Sequence, residues 1–83
     1  MNQVKTLKSL KEVQMLIQEK GIKTPKEICE NIKMEFKVDG YSYSNRGGVL
    51  QYHNGIKPHF TDEQDFITSL FKAAKKGNDI NIY

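Results

Sequence analysis

The sequence predicts an α+β domain with two N-terminal helices, an antiparallel sheet of two hairpins, a C-terminal amphipathic helix and a short last strand able to join the sheet. Three observations predict it. Ser9-Leu10-Lys11-Glu12, Thr24-Pro25-Lys26-Glu27 and Thr61-Asp62-Glu63-Gln64 each match the capping box, in which a hydroxyl accepts the amide three residues on and the Glu or Gln reaches back to the cap amide. Asp39-Gly40 and Asn54-Gly55 lie between strand-like runs, where a two-residue turn needs positive φ at both positions. Between these signals the apolar residues recur with period 3.6 or 2, and all 83 residues read as a single domain, 1–83.

From Ser9 to Lys20, Leu10, Val13, Leu16 and Ile17 share one helical arc; Leu7 extends it if the helix begins at Thr6, and Gly21 ends it. Met15 lies off that arc, a flexible thioether exposed as a contact point. A second helix, Pro25 to about Lys33, has proline at its first position and turns Ile28, Cys29 and Ile32 inward. Only Gly21-Ile22-Lys23-Thr24 separates the two, so they must pack on each other or on the sheet, in outline the first half of a helix-turn-helix unit.

Met34, Phe36 and Val38 alternate with Glu35 and Lys37, and a turn at Asp39-Gly40 pairs Val38 with Tyr41, Phe36 with Tyr43 and Met34 with Asn45. Met34, Phe36, Val38, Tyr41 and Tyr43 then form an apolar face, with Glu35, Lys37, Ser42 and Ser44 opposite. Asn45-Arg46-Gly47-Gly48 is a flexible connector to the second hairpin. There a two-residue turn at Asn54-Gly55 puts Val49, Gln51, His53, Ile56, Pro58 and Phe60 on one side and Leu50, Tyr52, Lys57 and His59 on the other. Neither side is cleanly polar, and Pro58, having no N–H, suits an edge strand.

The last helix, Asp62 to Lys76, places Phe66, Ile67, Leu70, Phe71 and Ala74 on one arc, with acidic residues in its first turn, Lys72, Lys75 and Lys76 at its end, and Gly77 as its stop. Asn78 to Tyr83 alternates as a terminal strand, or else frays.

Size and composition narrow the function. A chain this short buries little more than about 60% of its unfolded surface and has scant room for a cleft walled on several sides. One cysteine, Cys29, cannot form an internal disulfide, and no secretory leader is legible, which predicts a cytoplasmic protein. The longest apolar run, Met15-Leu16-Ile17, is far short of the roughly 20 residues of a membrane span. Net charge is +3, and Arg46 is the one arginine among thirteen cationic residues, a poor supply of the guanidinium forks that read nucleic acid.

No chemistry is legible. His53 and His59 are expected on opposite faces, with Cys29 on a separate buried helix, so the three should not converge on a metal. No nucleophile elbow or phosphate-cradling glycine pattern occurs. Glu12, Glu27, Asp62 and Glu63 have helix-start duties. The expectation is a protein that is not an enzyme, needs no cofactor or metal, and is a monomer or homodimer acting on a protein partner. Four Tyr, four Phe and three Met offer more aromatic and thioether surface than a small core hides. The expected partner-binding residues are Tyr52, His53, Lys57, His59, Tyr83 and Met15, with Tyr41 and Tyr43 divided between contact and core.

The stretch from Lys37 to Lys76, strands followed by an amphipathic helix, resembles DNA-binding domains of the plant AP2 type and the arm-binding domains of phage integrases. That resemblance implies a sheet laid in the major groove through Lys37, Arg46, Lys57 and Tyr52. The Lys/Asn/Ile-rich composition, the length from Met1, the two N-terminal helices, the Val38-Asp39-Gly40-Tyr41 hairpin and the C-terminal helix look like bacteriophage accessory proteins, among them the cytoplasmic lysis-inhibition antiholin of T-even phages. That likeness implies a regulator that occludes the cytosolic part of a holin.

Overall fold

The structure is a computed structural model and describes residues 4–55 and 57–83. It is α+β, a six-stranded antiparallel sheet with three helices on one face. In chain order the elements are β1 (Lys5–Leu7), α1 (Leu10–Glu19), α2 (Pro25–Asn31), β2 (Met34–Val38), β3 (Tyr41–Ser44), β4 (Gln51–His53), β5 (Pro58–Phe60), α3 (Glu63–Lys75) and β6 (Ile80–Ile82). The sheet order is β1-β6-β2-β3-β4-β5.

Leu7 belongs to a strand and not to the first helix. Residues 5–7 pair with the C-terminal strand, and Thr6 Oγ1 donates to Asn81 Oδ1 at 2.8 Å. The last segment therefore does not fray. It lies between β1 and β2, and the Tyr83 amide donates to the Lys33 carbonyl at 2.8 Å.

The helix starts follow local hydrogen bonding, with two corrections. Ser9 and Thr24 cap α1 and α2 as expected, but the reach back to the cap amide is not made: the Glu12 carboxylate accepts from the Lys8 amide and the Ser9 hydroxyl, and the Glu27 carboxylate from the Thr24 hydroxyl. Asp62, not Thr61, caps α3, accepting from the Asp65 amide at 2.8 Å. Thr61 is still committed to the sheet through its amide on Leu50, so the helix starts one residue later, with a carboxylate where the helix dipole favours one. Gly21 and Gly77 end α1 and α3 at positive φ, 68° and 78°, and the next amides close back on Ile17 and Ala73.

Helix α2 stops at Asn31, short of Lys33, because Asn45 takes over its C-terminal end. The Asn45 amide group donates to the carbonyls of Cys29 at 3.1 Å and Ile32 at 2.8 Å, while its Oδ1 accepts from the Met34 amide at 2.7 Å. At 1% exposure Asn45 is the buried polar residue among the described residues, not part of a flexible connector.

The β2–β3 register is the expected one, Val38 opposite Tyr41 and Phe36 opposite Tyr43, with Asp39 and Gly40 both at positive φ. The second hairpin differs. Gln51, Tyr52 and His53 face Phe60, His59 and Pro58, so four residues and not two separate the strands; Ile56 lies outside the described residues, and Val49, Leu50 and Lys57 outside the strands. Pro58 explains the shift. A two-residue turn would set Pro58 in a hydrogen-bonded pair with Gln51, where an N–H is required. In the observed register Tyr52 and His59 occupy that kind of pair, as do Leu50 and Thr61, and Pro58 turns its nitrogen to the free edge.

Leu7, Ile80, Met34, Phe36 and Val38 bury the helix side of the sheet against Val13, Ile28, Cys29, Ile32, Phe66, Ile67, Leu70, Ala73 and Ala74. Phe71, on the expected core arc, is only half-buried, and α1 and α2 both rest against α3. On the other side Thr6, Asn81, Glu35, Lys37, Ser42, Ser44, Gln51, His53, Pro58 and Phe60 form an uncovered face with no buried member.

Candidate functional site

Cross-strand neighbours share a face, so the register alone sets Phe36, Tyr43, Tyr52 and His59 in one row across β2 to β5. Their rings stack in sequence, with centroids 5.2, 5.4 and 5.3 Å apart and planes within 29° of parallel. Phe66 of α3 meets Phe36 and Tyr43 edge-on at 5.2 and 6.1 Å, sealing that half of the row into the core. Beyond it Tyr52 is half-buried and His59 exposed, and Tyr41, 39% exposed, meets Tyr52 edge-on at 5.6 Å. The row thus runs from core to surface.

On the uncovered face of the same strands, Phe60 is 77% exposed at the free edge, and Val49 just before β4 is also exposed. An aromatic ring this open gives up most of the free energy that burying it would release, about 1.5–3 kcal/mol. The β4–β5 end therefore carries apolar surface on both sides.

Of the expected contact residues, Tyr52 and His59 come together on the helix side, and His53 points to the uncovered face. Lys57 is exposed in the intervening loop. Tyr83 lies apart on that same uncovered face, under the Arg46 guanidinium at 3.9 Å, while Arg46 also pairs with Glu35 at 3.5 Å. Met15 is exposed on α1 beside Lys5 and Leu7, at the β1 edge, five strand spacings or about 24 Å from β5. It does not belong with the others. Phe60 and Val49 were missed by sequence reasoning, because which strand forms the edge depends on the strand order; Pro58 was the available signal.

Cys29 is buried on α2, and burial, with Glu63 and Glu30 nearby, pushes its thiol up to about 11, which disfavours the nucleophilic thiolate. Cys29, His53 and His59 do not gather, and among the described residues no three His, Cys, Asp or Glu side chains are grouped as metal ligands. The uncovered face has a shallow depression of about 510 Å³ whose lining includes Glu35, Phe36, Lys37, Asp79 and Asn81, of mixed polarity and mixed charge. Among the described residues no helix is long and apolar enough to cross a membrane. No protein-family profile, curated protein or solved structure matches the chain.

Proposed function

We propose that this protein is a non-catalytic binding module that acts stoichiometrically, occluding a surface of a partner protein with the β4–β5 end of its sheet. One observation carries the reading: at this end the sheet extends past the helix layer, leaving His59 exposed and Tyr52 half-buried on the helix side, while Phe60 on the opposite, uncovered face is 77% exposed. Rigid aromatic side chains with polar tips are the groups that protein interfaces concentrate at their centres. Because Pro58 leaves the outer edge short of a donor, the partner docks on side chains and does not add a strand. The likeness to lysis-inhibition antiholins names the cytosolic part of a holin as the first partner to test, with action in the cytoplasm.

Phe60→Ser leaves the unfolding midpoint nearly unchanged, Tyr52→Ala lowers it through the lost ring contacts while the domain stays folded, and both weaken capture of one and the same partner from native extracts at least tenfold, measured by quantitative pull-down. Undiminished capture by both variants overturns the reading. DNA binding by the uncovered face draws less support, since Arg46 is engaged by Glu35 and Tyr83, and Lys37 shares its depression with the carboxylates of Glu35 and Asp79. A gel shift with duplex DNA is expected to stay flat at low salt.

A further inference from the structure

The helix layer carries a second surface that shares no residue with the β4–β5 end. Helices α1 and α3 pack side by side, and between them runs an open groove of about 540 Å³ lined by Leu10, Gln14, Thr68, Phe71, Lys72 and Lys75. Its floor is apolar. Leu10 and Phe71 sit on the arcs that helical periodicity assigns to the core, yet each is only half-buried, so two large side chains present apolar area to the groove. Thr68, Phe71 and Lys75, spaced three and four apart, line one flank of α3, with Lys75 one turn beyond Phe71.

The rim is cationic and no carboxylate lines it. Lys72 pairs with Asp39, but Asp39 is shared with Lys76, so two ammonium groups face one carboxylate and a net positive charge remains. Lys75 makes no ion pair among the described residues, and Lys11, next to Leu10, is exposed. No set of polar groups converges as a small-molecule site would require.

We infer that this groove docks an acidic amphipathic helical segment of another protein. Its apolar side chains rest on Leu10 and Phe71, and its flanking carboxylates meet Lys72 and Lys75. This is helix-in-groove recognition, with the charges setting register and association rate and the apolar contact supplying affinity.

The probes are two synthetic helical peptides about four turns long, with the same Leu and Phe at i and i+4, one carrying Glu and the other Lys at the remaining positions. Titrated into the full chain, the Glu peptide moves the amide resonances of Leu10, Gln14, Thr68 and Phe71, binds tighter than the Lys peptide, and weakens as salt rises from about 0.05 to about 0.3 M. Lys75→Glu and Gln14→Glu, both at exposed positions, each reduce its affinity about fivefold. Equal binding of the two peptides, no effect of either substitution, or resonance changes at Tyr52 and His59 instead would overturn the assignment. The last outcome would move the segment to the β4–β5 end and leave the proposed function intact.

Discussion

Asn45 joins three backbone groups from two elements at one buried point: the Cys29 and Ile32 carbonyls at the end of α2 and the Met34 amide opening β2. Replacing it by Ala strands these groups where water is excluded, and the loss is expected to be about 3 kcal/mol by urea denaturation. Asn45→Asp should also destabilise, since a carboxylate cannot donate to two carbonyls; a change below about 1 kcal/mol for both variants would refute the role. The hairpin pattern set Asn45 opposite Met34, but nothing local marked its side chain as the cap of α2, because those partners lie 13 and 16 residues away.

Asp39 is a second residue with a readable consequence. Hydrogen bonds from Lys72 and then Lys76 hold its carboxyl below its ordinary 3.8, and the bond to Asp39 holds Lys72 above its ordinary 10.5. A depressed acid stabilises the fold above its unfolded pKa and loses that contribution as pH falls through the folded one; a raised base does the converse. The clamp from the β2–β3 turn to α3 is thus intact between about pH 4 and pH 10 and lost on either side. Asp39→Asn keeps a residue suited to positive φ and should flatten the acid side of the midpoint-versus-pH curve, which thermal scans between about pH 2 and pH 6 will show.

At the level of elements, legibility followed the range of the interactions. The β2–β3 hairpin was fully readable because a two-residue turn fixes its pairing and only one alternation agrees with it. β1 was not, since three residues carry no period and their partner strand lies about 75 residues away, as the Thr6–Asn81 bond illustrates. The register of β4–β5 could have been read from Pro58 by asking which pairs need an N–H. That same proline gives a prediction for the edge. Pro58→Val restores an outward donor beside Phe60 and should promote self-association through β5, seen as a concentration-dependent rise in mass by light scattering; a strictly monomeric variant would show that proline is not what blunts the edge.

For the whole molecule, three helices cover a sheet of six strands incompletely, and the strand order decides which end is left over. Tyr52 and His59 were legible as contact candidates from the two-sided pattern of the hairpin. Phe60 was not, because exposure at an edge is a property of the assembled sheet. The central claim is that the aromatic groups of this end are spare to the fold and available to a neighbour. Its most direct test needs no partner: the unfolding free energies of Phe60→Ser and Phe66→Ala measured side by side in denaturant. The expected result is a change within about 0.5 kcal/mol for Phe60→Ser against a loss of about 3–5 kcal/mol for Phe66→Ala, whose ring is fully enclosed. A loss at Phe60 approaching that at Phe66 would mean that the β4–β5 end folds on its aromatic residues instead of offering them.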